Sequence, residues 1–177
     1  TMLPPAQIER MLAGLTPEIR AQVEQGIGLF KLGVPFNLDA WDGFPAARER
    51  LYRTFREAGV QPLVLAGDSH AFWVNALHDD AGERRAVEFG TSAVSSPSPA
   101  DALGNLPLGM ALSAANEEVV FCDQASKGFV LMTLTPGRAD VALMAVSTIV
   151  TKPYELRAVK RYRVDHTAAG AGALVEV

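Results

Sequence analysis
The sequence predicts an α/β fold that ends in a mainly antiparallel sheet. Three observations carry that expectation. A helix pattern over residues 44–58 is followed by a short, continuously apolar strand at 61–66, the order of an α/β unit. The second half then reads as four strands joined by short connections. The composition can also fill a core: of 177 residues, 49% are hydrophobic and 20% charged. That excludes a disordered or collagen-like chain.

Taken in order, residues 4–28 read as two helical pieces. Pro4 and Pro5 lead into 6–15, where Ile8, Met11, Leu12 and Leu15 recur at helical spacing. Thr16 is placed as the N-cap of the second piece, with Pro17 at its first position. Residues 29–43 mix periods and turn formers and read as an ordered loop. Phe44-Pro45 opens a helix to Ala58, with Ala47, Leu51, Phe55 and Ala58 as the buried stripe. Arg48, Glu49, Arg53, Arg56 and Glu57 face water, and Gly59 closes the helix at C′.

The apolar run 61–66 has the character of a strand buried on both faces. It breaks at Gly67-Asp68-Ser69-His70. Residues 71–77 are expected as a short helical turn, 78–82 as a turn and 85–90 as a strand running into a Ser/Thr/Pro loop at 91–99. Residues 100–116 read as irregular or weakly helical. Strands follow at 118–123, 128–135, 140–150 and 155–164, with Thr135-Pro136-Gly137-Arg138 as a tight turn. The strand at 140–150 is apolar on both faces and so central. Arg157, Arg161 and Arg163 mark a wet face or an edge. The Gly/Ala-rich residues 165–177 are expected as a flexible tail.

Composition also limits function. Sixteen basic against twenty acidic residues give −4, with no basic block, so nucleic acid is not the expected main partner. The single cysteine, Cys122, excludes a disulfide within the chain and a cysteine-built zinc site, and its alternation with Val120 marks it as a small core residue. The apolar run from Val141 to Thr151 falls far short of the ~20 residues a spanning helix needs, so no membrane span is expected. Thr1-Met2-Leu3-Pro4-Pro5 lacks the basic and apolar regions of a signal peptide.

The strongest chemical signal is Gly67-Asp68-Ser69-His70 at the end of a buried strand, the usual place for sites in α/β folds. In extended backbone, residues two apart point to one side. Asp68 and His70 then converge on one ion or substrate group, and carboxylate plus imidazole is a ligand set for iron, zinc or manganese. The plain alternative has Asp68 capping a helical turn and His70 as polar surface. A second reading takes Ser69 as the nucleophile of a GDSL/SGNH-type serine esterase. That chemistry needs a late Asp-x-x-His, and neither His78 nor His166 has Asp at that spacing.

A third cluster is Asn37, Asp39 and Trp41, whose alternation presents one face to a substrate pocket. Its plain alternative is a helix lead-in, with Asp42 as cap and Trp41 in the core. The hydroxyl-rich loop after Glu88-Phe89-Gly90 can line a phosphate site. A non-catalytic β-rich interaction module remains the alternative to any enzyme.

Four blocks together resemble the alkaline phosphatase D (PhoD-like) family of metallophosphatases. They are NLDAWDGFPAARERLYRTF (37–55), VLAGDSHAFWVNAL (64–77), VEFGTSAVSSP (87–97) and KGFVLMTLTPGRADVALMAVSTI (127–149), in the family's order. The resemblance implies part of a calcineurin-like αββα sandwich over residues 1–164, as the carboxyl-terminal portion of a phosphatase domain. It implies hydrolysis of phosphate mono- or diesters with divalent or trivalent metal ions, iron and calcium among them. Asp68 and His70 map onto metal ligands, and Asp39 onto a residue near the pocket; Trp41 and Ser69 stand beside it as candidate substrate-pocket residues of this sequence. A periplasmic or extracellular setting is implied as well.

The family's earlier ligand motifs, of the type D-x-H, G-D-x-x-D and G-N-H-D, do not occur before residue 63. Two protein ligands are too few for a catalytic metal pair. An upstream amino-terminal portion or a partner chain is therefore expected to complete the site, and the chain alone is expected to be inactive.

Overall fold
The computed structural model describes residues 38–103 and 108–177, with residues 9, 12, 13, 15–18, 20, 21, 24 and 25 before them. Most of the two amino-terminal helical pieces, the 29–37 part of the loop and Asn37 lie outside the described residues.

Helix α1 spans Pro45–Glu57, after a single 3-10 turn at Trp41–Gly43. Proline's fixed φ suits its first position, and Gly59 leaves the helix at φ 67°, a conformation glycine adopts without steric cost. Its buried side differs from the expected stripe. Tyr52 is the buried residue, Ala47, Leu51 and Phe55 are partly buried, and Ala58 is exposed. Arg48 and Glu49 are partly buried rather than wet. The covered face is thus turned toward Tyr52, an aromatic with a polar tip that the aliphatic count passed over. Asp42 is no cap: Phe44 holds that position without a side-chain bond, and Asp42 pairs with Arg48 at 2.8 Å.

Eight strands among the described residues form two four-stranded sheets. The first contains β1 (Leu63–Ala66), β2 (Phe72–His78), β3 (Arg84–Gly90) and β4 (Val119–Asp123), in the order β1-β3-β2-β4. β1 runs parallel to β3, and the other pairs are antiparallel. The second is an antiparallel meander of β5 (Gly128–Thr135), β6 (Arg138–Val146), β7 (Leu156–Thr167) and β8 (Gly170–Glu176). Short helices α2 (Pro99–Leu103) and α3 (Leu108–Ala115) fill the connection before β4, and α3 packs along β4.

Four expectations change here. Residues 71–77 are not a helical turn but β2, because Phe72 and Val74 alternate into the core. β1 is not buried on both faces: among the described residues it is the end strand of its sheet, and Leu65 is 66% exposed. An apolar run gives strand character but not its place in the sheet. The expected flexible tail at 165–177 instead extends β7 and forms β8, held by pairs such as Val164↔Leu174 and His166↔Ala171. That places β7 between β6 and β8, so its arginines do not mark an edge.

The sheets share one core, each burying one side against the other. Phe72, Val74, Val87 and Phe89 from the first meet Val141, Leu143, Ala145, Tyr162 and Val164 from the second. The Phe89 and Tyr162 rings lie 6.2 Å apart at 54°. Cys122 is buried, and burial pushes its thiol up to about 12, consistent with a packing role. No helix among the described residues is long and apolar enough to cross a membrane.

The β2–β3 turn is organised by one buried carboxylate. Asp79 accepts hydrogen bonds from Arg85 Nε at 2.6 Å, Arg56 at 3.1 Å, and the backbone N–H groups of Ala81 and Glu83 at 3.0 Å each. The Arg85 bond chiefly holds its pKa below the ordinary carboxylate value, against the opposing effect of burial. A depressed pKa adds stability that is present above the unfolded value and lost as pH falls through the folded one. Asp79→Asn is expected to lower the thermal midpoint at pH 7, and the gap to wild type to close as pH drops below about 4. Thermal unfolding at the two pH values checks this; a gap that persists unchanged in acid would contradict it.

Candidate active site
Because β1 and β3 run parallel, their carboxyl ends lie together, and so do the loops that leave them. Gly67–His70 follows β1, and Thr91 to Ser98 follow β3. Thr91 N–H donates to Ala66 O at 2.9 Å. His70 Nδ1 lies 2.6 Å from the Pro97 carbonyl oxygen. A carbonyl only accepts, so a hydrogen bond here has Nδ1 as the donor, which in the neutral ring leaves the lone pair on Nε2. Two of the sequence blocks are therefore joined through one imidazole.

Trp73 stands opposite Gly90 in the β2–β3 register. A Cβ at position 90 would lie 3.0 Å from Trp73 Cβ and 3.1 Å from Cδ1, so glycine makes room for the indole. That indole N–H donates to Ser69 Oγ at 3.0 Å. In a Trp41→Phe background, where Trp73 is the only tryptophan, Gly90→Val is expected to displace the ring. A shift of its emission maximum would register this; an unchanged spectrum would contradict the packing.

The backbone of the loop is not extended. Asp68 and His70 both have positive φ, 69° and 55°, while Gly67 does not. The two-residue alternation that was to align their side chains does not apply, and turn geometry places them instead. Left-handed backbone is uncommon outside glycine, more frequent for Asp and His, and concentrates at functional sites. No helix begins at Ser69, so Asp68 caps none. Asp68 and Ser69 are exposed, and His70 is partly buried.

An imidazole whose Nδ1–H meets a carbonyl is oriented as metal-bound histidines are, and Asp68 adds a carboxylate. The count is nonetheless too small. Among the described residues, no group of three or more His, Cys, Asp or Glu side chains is placed to hold a metal ion. The residues present do not make up a metal centre by themselves.

Asp39 and Trp41 occupy a separate turn. Trp41–Gly43 is a 3-10 turn, so the segment does not alternate as a strand would. Asp39 is exposed and Trp41 is 53% exposed. The contacts of this block run to α1 through Asp42 and Arg48. Arg48 in turn borders a cavity of about 380 Å³ with His78, Asp80 and Glu118, at the opposite end of β2 from Gly67–His70. The loop after β3 also differs from a phosphate cradle in one respect: Ser92 is buried and its hydroxyl donates to Ser126 O at 2.6 Å. Trp73, the Pro97 carbonyl and Lys127 are the site neighbours that pattern reading missed. Only strand register and loop packing bring them near.

An aspartate and a histidine on a strained loop, at the carboxyl ends of a parallel strand pair, occupy the position of an enzyme site in α/β folds. The family model for PhoD-like phosphatase matches residues 7–143, and the chain belongs to that family. Alkaline phosphatase D of Bacillus subtilis (strain 168) is 30% identical over 140 residues, which covers 75% of this chain and 23% of that protein. A solved PhoD structure superposes with a TM-score of 0.63 at 23% identity, covering 78% of this chain and 26% of its own. The chain thus spans about a quarter of the length of these relatives.

Proposed function
We propose that this chain carries the carboxyl-side part of the site of a phosphoric ester hydrolase, with Asp68 and His70 as its polar contribution. Membership of the PhoD-like family supports the reaction class. The observation that carries the residue assignment is the 2.6 Å contact between His70 Nδ1 and Pro97 O. It fixes an imidazole with Nε2 free on a loop with two positive-φ residues, in the segment the family match covers. Metal ions, iron and calcium being those the resemblance implies, would be held there only with donors from outside the described residues. An amino-terminal portion or a partner chain would supply them and complete the calcineurin-like sandwich. Ser69 would border the substrate, Asp39 and Trp41 would do so only if the completed site reaches the turn beside α1, and the setting would be periplasmic or extracellular.

The serine esterase reading finds no comparable support. Ser69 Oγ meets an indole N–H, a donor that cannot take its proton. The test compares metal content, by mass spectrometry, and hydrolysis of phosphate mono- and diesters for the chain alone. Neither stoichiometric metal nor turnover is expected. Turnover by the chain that Asp68→Ala abolishes would refute its incompleteness. Labelling of Ser69 by a fluorophosphonate would refute the phosphoesterase assignment itself.

A further inference from the structure
We propose that Lys127 and Asp101 are positioning residues for His70, acting through residues 96–98 to fix its tautomer and direction. The inference rests on the reading of His70 as a site residue. Lys127 lies just before β5, far in sequence from the loop it touches. Its side chain is 11% exposed and donates to Ser96 O at 2.9 Å and to Asp101 Oδ2 at 2.5 Å.

The same Asp101 oxygen accepts from Ser98 N–H at 2.6 Å and from Ser98 Oγ at 3.0 Å. Lys127 is the chief reason the Asp101 carboxyl is held down to about 2. Residues on both sides of Pro97 are therefore clamped by one ion pair, and Pro97 O receives the His70 Nδ1–H. Ser98 is buried and the Lys127 side chain nearly so, which anchors the clamp in the packed structure, while the Asp101 side chain is 53% exposed and closes it from the surface. Hydrogen-bonded carbonyls set which imidazole nitrogen carries the proton. Loss of such a partner behind a functional histidine typically costs 10–100-fold in affinity or activity.

The experiment is a long-range proton–nitrogen NMR spectrum of the 15N-labelled chain at about pH 8.5, roughly two units above the ordinary histidine pKa. Three histidines, His70, His78 and His166, give a short assignment, completed with His70→Gln. Wild type is expected to show His70 in the Nδ1–H form alone. Lys127→Ala is expected to lose that single form, and Lys127→Arg, which keeps a donor, to retain it. The ring signals of His78 and His166 report an intact fold, and Asp101→Asn gives the same reading if Lys127→Ala fails to fold. An Nε2–H form in wild type would overturn the proposal. So would a His70 pattern unchanged in both Lys127→Ala and Asp101→Asn. The readout needs neither metal nor substrate, so failure of the phosphoesterase reading would appear in turnover and leave this result standing.

Discussion

Phe89→Ala is expected to destabilise the fold by about 3–5 kcal/mol, the range for deleting a buried aromatic from a packed core. Phe89 is 1% exposed on the inner face of β3 and faces Tyr162 of the other sheet. Its removal leaves a cavity between two sheets, each held in place by hydrogen bonds along its strands, so little collapse can refill it. Against a total of about 5–15 kcal/mol for an ordinary domain, that loss is a large fraction. Leu65 provides the control. It pairs with Phe89 in the β1–β3 register but lies uncovered at the sheet edge. Leu65→Ala is expected to stay within about 0.5 kcal/mol. Urea titrations with an unchanged slope would measure both. A Phe89→Ala loss no larger than that of Leu65→Ala would mean that the two sheets do not share a core.

The contrast between these two residues shows which parts of the fold are legible in a sequence. Apolar alternation and turn chemistry are local, and where they agree the elements are readable: Thr135-Pro136-Gly137-Arg138 separates β5 from β6, and Gly59 closes α1. Position within a sheet is not local. The run Leu63-Val64-Leu65-Ala66 reads as a strand buried on both faces, yet one flank of β1 has no named strand beside it among the described residues. Residues 170–176 are rich in Gly and Ala and carry little strand propensity of their own. They become β8 because β7 extends beside them and offers its backbone groups. Residues 71–77 balance helix and strand propensity, and the core decides for strand through Phe72 and Val74.

The site divides in the same way. Gly67-Asp68-Ser69-His70 stands out because polar chemistry follows an apolar run. Its geometry does not follow from residue spacing, since Asp68 and His70 reach it through positive φ. Pro97 lies 27 residues from His70, and Lys127 lies 31 from Ser96. The parallel pairing of β1 with β3 closes the first distance, and the second closes where the lead-in to β5 bonds the loop after β3, Gly128 N–H to Ala93 O at 3.1 Å and the Ser92 hydroxyl to Ser126 O at 2.6 Å. The DAWDG block shows the reverse case: its acidic and aromatic residues draw attention, while Asp42 is engaged with Arg48 in holding a turn against α1.

His70→Ala, made in a longer protein that includes this chain, is expected to reduce phosphate ester turnover by at least roughly 100-fold, above the loss typical of groups one layer behind a site. Ser69→Ala in the same protein is expected to change turnover by less than about 10-fold, since it removes one neutral hydrogen bond worth ~1 kcal/mol. The two substitutions separate the competing chemistries because they act on neighbouring residues of one loop. A serine nucleophile would make Ser69→Ala the disabling change and leave a covalent adduct to be detected. A phosphatase site built on Asp68 and His70 makes Ser69 an accessory, oriented by Trp73. Measuring kcat and KM for both variants, with the fold checked by thermal unfolding, decides between them. If His70→Ala retains wild-type turnover, the imidazole that Pro97 orients has no part in the reaction, and the residue assignment fails even though the family membership stands.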